Sequence, residues 1–210
     1  MTDNEQYWEQ RFYKEGMIWG EIPSKTAYYA LDLFRTHEIR SILVPGSGYG
    51  RNTKLFSSSG YEVTGVEISG KACTMAKQFD PGSQFYKGSV LDMSFDITIY
   101  GAIYCFNVLH LFLEDERKLF LHSCAEKLKK AGLMFVTVFS DEESNYGQGN
   151  EVEKNTYETR PGRPAHYYTE DDLREQFKDF YIKDTGILTD PEDHGGKPHT
   201  HILRYVLAIK

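Results

Sequence analysis

The stretch from Ser41 to Ser69 constrains the fold of this chain more than any other part of its sequence. A run of aliphatic residues, Ile42 to Val44, suits a strand buried on both faces, and it leads directly into a glycine-rich turn at 46–50. Residues 51–58 then predict a short helix, which precedes a second strand that ends at Glu67. This order of strand, glycine turn, helix, strand and acid is typical of α/β domains that bind a nucleoside.

The glycine spacing distinguishes between two kinds of nucleoside ligand. The dinucleotide fingerprint is G-x-G-x-x-G, but Gly46, Gly48 and Gly50 form G-x-G-x-G, and Arg51 stands where the third glycine of the fingerprint would be. A long side chain at this point crowds a pyrophosphate, whereas it can engage a carboxylate. Glu67 is placed to accept hydrogen bonds from a ribose diol. We therefore expect S-adenosylmethionine; an NAD site with an eroded motif, or an unrelated glycine turn, remains an alternative.

Further cofactor contacts are expected where other strands end. Asp92 follows the third predicted strand and can accept a hydrogen bond from an adenine amino group, although a turn aspartate explains it equally well. Asn107 follows the fourth strand, and Trp19, between the first two helices, can stack on a sulfonium or an adenine or pack in the core. The predicted cofactor-binding residues are Trp19, Gly46, Ser47, Gly48, Arg51, Glu67, Ile68, Leu91, Asp92 and Asn107.

Hydrophobic periodicity and capping residues predict the other elements. Helices are expected at 2–15, 24–36, 69–78, 114–130 and 169–180, and strands at 83–87, 100–106, 133–139, 181–188 and 201–209. Because strands alternate with helices, we expect a doubly wound, Rossmann-like, mostly parallel sheet with helices on both faces. A single domain over 1–210 is predicted, with an N-terminal helical cap at 1–38.

The connection after the fifth strand, residues 140–168, is polar and too long for an ordinary loop. It leaves from the carboxyl end of that strand, so we interpret 141–168 as an active-site lid; a solvated insertion is the alternative. No catalytic base is predicted firmly, since a thiolate acceptor needs none. If a base exists, the candidates are His110, Tyr146 and His166, with His110 better explained as a packed core histidine.

The histidines near the C-terminus raise the question of a metal. His194, His199 and His201 form H-x4-H-x-H on the same presumed side of the sheet. Only histidines are offered, and a catalytic zinc site requires three fixed ligands and an open position. We therefore predict no metal.

Charge and composition exclude several classes of partner. The net charge is −7, and no cluster of lysine and arginine could follow a phosphate backbone, so nucleic acid is not expected as a partner. The N-terminus has no apolar signal region and no run approaches transmembrane length. Cys73, Cys105 and Cys124 are interpreted as reduced, buried thiols, so we expect a cytoplasmic protein with a small-molecule partner.

Taken together, these motifs give a family resemblance. The strand and turn ILVPGSGYG, with Glu67 and Asp92, resemble the class I S-adenosylmethionine-dependent methyltransferases. The segments YWEQRFYKEGMIWG and GYEVTGVEIS look like the thiopurine and tellurite-resistance branch, in which proline also occurs at the position of Pro45 in place of the usual acid. The resemblance implies a seven-stranded sheet with an antiparallel last strand, and S-adenosylmethionine as cofactor.

The function expected is methyl transfer from S-adenosylmethionine to a small nucleophile: a thiol, a chalcogen compound or an amine. The [DNS]-P-P-[YF] motif of nucleic-acid amino methyltransferases is absent after the fourth strand, where the sequence is FNVL at 106–109. Two alternatives stay open. One is an NAD-dependent oxidoreductase, and the other is a non-catalytic protein that binds S-adenosylmethionine.

Overall fold

The main element of the computed structural model, which describes residues 2–193 and 198–210, is a seven-stranded sheet. Its strands are β1 (Ser41–Pro45), β2 (Glu62–Glu67), β3 (Gln84–Lys87), β4 (Tyr100–Phe106), β5 (Leu128–Phe139), β9 (Tyr181–Asp193) and β10 (Pro198–Ile209). Their order across the sheet is β3-β2-β1-β4-β5-β10-β9. Strands β1 to β5 pair in parallel, and β10 is antiparallel to both β5 and β9. The predicted sheet, with its antiparallel last strand, is confirmed.

Helices flank the sheet and bury its two faces in two separate cores. The helices are α1 (Asp3–Glu15), α2 (Lys25–Arg35), α3 (Arg51–Ser58), α4 (Gly70–Phe79), α5 (Glu114–Lys127) and α6 (Glu170–Gln176), with a 3₁₀ turn at Leu109–Leu111. Alternate residues of one strand point into different cores. Leu43 packs with Phe120 of α5, whereas Ile42 packs with Phe34 of α2. None of the helices within 2–193 and 198–210 is long and apolar enough to cross a membrane.

The strand order places a ligand site between β1 and β4. The chain runs from β1 outward through β2 to β3, and then crosses back to β4 on the other side of β1. Ligands of open parallel sheets bind at such a reversal, beyond the carboxyl ends of the strands. Gly46 follows β1 and Asn107 follows β4 at this point.

Several predicted element boundaries are wrong. Helix α5 ends at Lys127 instead of continuing to 130, and β5 begins at Leu128 instead of 133. Leu128 is fully buried and pairs with Tyr100, so sheet pairing overrides the helix propensity of the lysine-rich segment. Helix α6 ends at Gln176 instead of 180. Strands β9 and β10 extend into the connection predicted at 189–200, while His194 lies outside the described residues.

The segment after β5 contains a second sheet that the sequence did not predict. Strands β6 (Asn150–Glu153), β7 (Thr156–Arg160) and β8 (Arg163–His166) form a three-stranded antiparallel sheet. The polar connection predicted at 140–168 therefore contains regular structure. Cys73, Cys105 and Cys124 are buried free thiols, as predicted.

A buried hydroxyl cluster ties α2 to the sheet beside the site. The Tyr104 hydroxyl lies 2.9 Å from both Ser24 Oγ and Thr26 Oγ1, and Ser24 Oγ also caps α2 by accepting from the N–H of Ala27. Tyr104 is fully buried, so its hydroxyl has no access to water.

We expect Tyr104→Phe to lower the free energy of unfolding by about 1–3 kcal/mol, because the buried hydroxyls of Ser24 and Thr26 each lose one hydrogen bond. Tyr28, which is 47% exposed on the same helix, supplies the matched control Tyr28→Phe. Urea denaturation followed by circular dichroism measures both. Equal midpoints and slopes for the two variants would contradict this role of the cluster.

Candidate active site

A cavity of about 720 Å³ opens at the carboxyl ends of β1 and β4, within the range of about 300–1,000 Å³ typical of small-molecule sites. Helix α1, the glycine turn, the ends of β2, β4 and β5, and the β9–β10 hairpin all contribute to its wall. The wall residues used below are Trp8, Phe12, Trp19, Gly46, Ser47, Gly48, Arg51, Glu67, Ile68, Leu91, Asn107, Val108, His110, Phe112, Phe139, Glu192 and His201.

The glycine turn is built so that backbone lines the cavity. Gly46 has φ of +66°, and a Cβ at this residue would lie 2.3 Å from Cγ2 of Val108, so a side chain is excluded by both conformation and space. Gly48, with φ of +55°, donates its N–H to Oε2 of Glu67 at 3.0 Å. The turn therefore fixes the position of the acid at the end of β2.

Glu67 is a buried carboxylate held by backbone donors. Its Oε1 accepts from the N–H of Ser69 at 2.8 Å, and its Oε2 accepts from Gly48. Burial raises the pKa of the Glu67 carboxyl, while the N–H groups of Ser69, Gly48 and Ile68 oppose that shift. Each oxygen of an ionised carboxylate has two acceptor positions, so both oxygens retain capacity for a ligand hydroxyl.

An aromatic wall covers the turn. The indole of Trp19 stacks on Tyr49, with ring centroids 6.1 Å apart and planes 16° apart, and it meets Phe12 edge-on. The Tyr49 hydroxyl donates to the carbonyl of Gly20 at 2.6 Å and accepts from the N–H of Trp19. Trp19 thus has a fixed orientation in the cavity wall.

Arg51 lies in the wall, but its guanidinium already holds protein groups. One nitrogen donates to the carbonyl of Trp19 at 3.1 Å, and another forms a buried ion pair with Glu192 of β9. A carboxylate from a ligand would have to share Arg51 with Glu192. Arg51 in this structure ties α3 to the segment around Trp19 and to the terminal hairpin.

Ile68 and Leu91 both lie in the wall, whereas the carboxylate of Asp92 does not belong to it. Asp92 is exposed, and its Oδ1 accepts from the N–H of Ser94 at 3.0 Å, which lowers the pKa of the carboxyl. The structure therefore brings Leu91 to the cavity and places the Asp92 side chain in a turn beside it.

Two buried polar atoms of the wall have no hydrogen-bond partner among the described residues: Ser47 Oγ and His110 Nδ1. Asn107, at φ of +55°, is another polar residue of the wall, and its Oδ1 accepts from the Thr137 hydroxyl at 3.0 Å. Buried polar groups without partners are rare and costly. The cavity therefore suits a ligand that carries its own donors and acceptors.

The three candidates for a catalytic base occupy different places. His110 is 1% exposed, lines the cavity and stacks on Phe139, with centroids 3.8 Å apart. The imidazole of His166 is held between Thr156 and Asp172, and the Tyr146 hydroxyl bonds to Asn155. His166 and Tyr146 are not among the wall residues.

Sequence reasoning missed a second group of polar wall residues. Glu192 and His201 reach the cavity from β9 and β10, and Glu143 holds His201 from behind, with 2.8 Å between Glu143 Oε1 and His201 Nδ1. His199 and His201 were considered as metal ligands from the sequence, but no sequence pattern indicated that Glu192 and Glu143 lie beside them.

Comparison with known proteins gives a family for the central part of the chain. Residues 43–136, a little under half of the chain, match the family model described as a methyltransferase domain. No curated protein matches the chain.

Three solved structures illustrate the likeness in fold. One is a protein studied in the conversion of a disulfide bond into a thioacetal group during echinomycin biosynthesis (TM-score 0.79, 15% identity, covering 98% of this chain and 92% of that one). Another is the 1,6-didemethyltoxoflavin-N1-methyltransferase of Burkholderia thailandensis, with S-adenosylhomocysteine bound (TM-score 0.73, 17% identity, covering 99% of this chain and 88% of that one). The third is TehB from Haemophilus influenzae (TM-score 0.65, 15% identity, covering 97% of this chain and 67% of that one).

The match over residues 43–136 agrees with the predicted class of enzyme for that part of the chain. The solved structures share the fold, and one of them contains S-adenosylhomocysteine, the product of the predicted cofactor S-adenosylmethionine. They do not support the NAD-dependent alternative. The residues present fit this cofactor, since a buried carboxylate and an unpartnered hydroxyl flank an apolar, aromatic-walled cavity.

One prediction concerns the charge of His110. Burial, together with the nearby His201 and His166, lowers the pKa of His110 from 6.5 to about 3. We therefore expect the His110 imidazole to stay neutral between pH 5 and 8. Because an unfolded chain binds a proton at this position below about pH 6.5 and the folded chain does not, His110 lowers the stability of the fold as the pH falls from 6.5 toward 3.

Imidazole NMR of the labelled protein measures this charge, with the solvent-exposed His122 as reference signal. His110→Phe identifies the His110 resonance by its loss. A His110 signal that titrates between pH 5 and 8 would contradict the prediction.

Proposed function

We propose that this chain transfers the methyl group of S-adenosylmethionine to a small nucleophile bound at the His110–Phe139 end of the cavity. The observation that carries the proposal is one cavity with two sets of wall residues. The first set is the glycine turn, Glu67 and Leu91, which follow or end β1, β2 and β3, and the second is His110, Phe112, Phe139, Glu192 and His201, which follow β4 or lie on β5, β9 and β10. The first suits a nucleoside, and the second suits an apolar acceptor with one polar reacting atom.

Each residue of the first set has a proposed role. Glu67 accepts the ribose hydroxyls, and the backbone of Gly46 and Gly48 with Ser47 Oγ receives the amino-acid tail. Trp19 and Leu91 provide apolar contacts. Asp92 reaches an adenine amino group only after its side chain leaves Ser94.

The bound cofactor supplies an electrophilic methyl group on a sulfonium. The chain holds the acceptor in line with that methyl group and excludes water, and such orientation contributes roughly 7–11 kcal/mol. Val108, Phe112 and Phe139 provide apolar wall for this purpose. His110, with a strongly lowered pKa, is neutral and serves as a hydrogen-bonding wall residue rather than as a cation.

The acceptor is proposed to be a thiol, a chalcogen oxyanion or an amine, as the resemblance to the thiopurine and tellurite-resistance branch implies. The shared fold of TehB is compatible with that branch. The N1-methyltransferase of Burkholderia thailandensis, whose structure contains 1,6-didemethyltoxoflavin, supports keeping nitrogen acceptors in the proposal.

A screen with methyl-labelled S-adenosylmethionine tests the function. The panel contains 6-mercaptopurine, substituted thiophenols, phenols and anilines, selenite and tellurite. We expect turnover of at least one member that is lost in Glu67→Ala. Tight binding of S-adenosylmethionine with no turnover of any member would favour the non-catalytic binding protein instead.

We expect Glu67→Ala to weaken binding of S-adenosylmethionine by roughly 1.5–3 kcal/mol, about ten- to a hundredfold, because a charged hydrogen-bond acceptor is lost. Glu62, exposed at the start of β2, provides the matched control Glu62→Ala. Isothermal titration calorimetry measures both, with circular dichroism to verify folding. A folded Glu67→Ala protein with unchanged affinity would rule out the ribose role.

Residues 141–168 are proposed as a lid that acts through α1. Arg163 of β8 donates to Asn4 Oδ1 at 2.9 Å and to the carbonyl of Asp3, and its guanidinium lies 3.5 Å from the ring centroid of Tyr7. Helix α1 covers the cavity with residues that include Trp8 and Phe12. The small sheet thereby holds a helix over the site.

We expect hydrogen exchange in both α1 and 141–168 to slow when S-adenosylhomocysteine binds. Arg163→Ala should remove the protection of α1 because the contact between the two segments is lost, whereas exposed Arg160→Ala should keep it. Mass spectrometry of peptides measures the exchange. Equal exchange with and without ligand would contradict the lid.

A further inference from the structure

His201 is held in one orientation at the wall of the cavity. Its Nδ1 lies 2.8 Å from Oε1 of Glu143, and its ring stacks on Phe139 with centroids 5.0 Å apart and planes 21° apart. A carboxylate only accepts, so Nδ1 carries the proton of the neutral ring. The lone pair of the neutral imidazole is therefore on Nε2.

Glu143 is itself fixed. It is 6% exposed, and its Oε1 accepts a second hydrogen bond from the backbone N–H of Ile202 at 3.0 Å. Its own N–H donates to the carbonyl of Ser140, directly after β5. The carboxylate therefore stays behind His201 and sets which nitrogen is basic, as a carboxylate does in histidine-based catalytic groups.

The charged groups around His201 come from several elements. Glu192 Oε2 lies 3.7 Å from His201 Nε2, while Oε1 of Glu192 pairs with Arg51 of α3. The ring of His199 meets that of His201 edge-on at 4.4 Å, and the neutral His110 lies across Phe139. The imidazole therefore lies beside two carboxylates, of which Glu192 is paired with the Arg51 guanidinium.

We propose that His201, oriented by Glu143, is the general base that takes a proton from the methyl acceptor. This inference rests on the function proposed above and names the acceptor class for the same site. The acceptor X–H gives its proton to Nε2 while the X–CH3 bond forms. The S–CH3 bond breaks and its electron pair stays on sulfur, so the positive charge passes from the sulfonium to the imidazolium.

The proposal limits the acceptor chemically. A tertiary amine, a thioether or an acceptor that is fully ionised at neutral pH has no proton to lose and needs no base. The site is suited to a neutral N–H, O–H or S–H group with a weakly acidic proton on an apolar body that fits beside Phe112 and Phe139.

The same cluster offers a competing chemistry, which the test must separate. Ligand atoms of Glu143, His199 and His201 lie within 4.8 Å of one another, as a metal ion would require. Two nitrogen or oxygen ligands of one tetrahedral zinc ion are roughly 3.4 Å apart, given bonds of about 2.1 Å. The 2.8 Å separation of Glu143 Oε1 and His201 Nδ1 is that of a hydrogen bond, so we infer a proton between them.

The first measurement needs no acceptor. Imidazole ¹⁵N NMR of the protein with S-adenosylhomocysteine should show the proton of the neutral His201 ring on Nδ1 and the lone pair on Nε2. Glu143→Gln should weaken this tautomer preference, whereas exposed Glu142→Gln should not. A His201 that is doubly protonated from pH 6 to 9, or that has its proton on Nε2, overturns the proposal.

The second measurement uses the aryl acceptor that turns over in the screen, in a para-substituted series. His201→Asn should lower single-turnover rates by about 10²- to 10⁴-fold, the usual contribution of a general base, with unchanged affinity for S-adenosylmethionine. It should remove the acidic limb of the pH–rate profile and make the rate depend more steeply on acceptor pKa. Glu143→Gln should lower the rate less, and His122→Asn should not change it.

The remaining results either support or overturn the role of His201 as a base. Added imidazole should partly restore His201→Gly, which a purely structural role would not allow. Full activity and an intact acidic limb in His201→Asn overturn the proposal, as does loss of wild-type activity on chelation with a stoichiometric bound metal. If wild type fails to bind S-adenosylmethionine, the proposed function fails, and not the base alone. If His201→Asn does not fold, Glu143→Gln and the tautomer measurement decide.

Discussion

The contact between Gly48 and Glu67 organises the site. The N–H of Gly48 reaches the carboxylate only because the turn after β1 adopts left-handed conformations, with φ of +66° at Gly46 and +55° at Gly48. Side chains at these residues would strain the turn, and at Gly46 would also collide with Val108. One local constraint thus places backbone, acid and the end of β4 around a single cavity.

The opposite side of the cavity depends on pairing between distant parts of the chain. Strand β10 lies between β5 and β9 and runs antiparallel to β5. The first part of β10 therefore lies beside the carboxyl end of β5, at the edge of the sheet where the glycine turn is located. Arg51 and Glu192, 141 residues apart, connect helix α3 with the β9–β10 hairpin through a buried ion pair. Removal of either partner alone would leave a buried charge, which costs several kcal/mol. This ion pair therefore joins the helix that follows the glycine turn to strand β9.

The sequence predicted what local patterns determine. The strand–turn–helix unit and Glu67 at the end of β2 follow from residue spacing and burial, whereas the antiparallel last strand was implied by the family resemblance. Arg51 was expected to engage the carboxylate of a ligand, and in the structure it pairs instead with Glu192, which no local pattern connects with it. The Glu143–His201 pair spans 58 residues and depends on β10 entering between β5 and β9. The sheet at 150–166 was missed because its short strands contain proline and charged residues and lack a clear alternation of polar and apolar positions.

The most direct test of the central claim is a crystal structure of the protein with S-adenosylhomocysteine. The account predicts both ribose hydroxyls within hydrogen-bond distance of the Glu67 carboxylate, with the amino-acid tail against the backbone of Gly46 and Gly48. It also predicts that the sulfur faces His110, Phe139 and His201. Density for the adenosyl group at another position, or a ribose that makes no contact with Glu67, would contradict it.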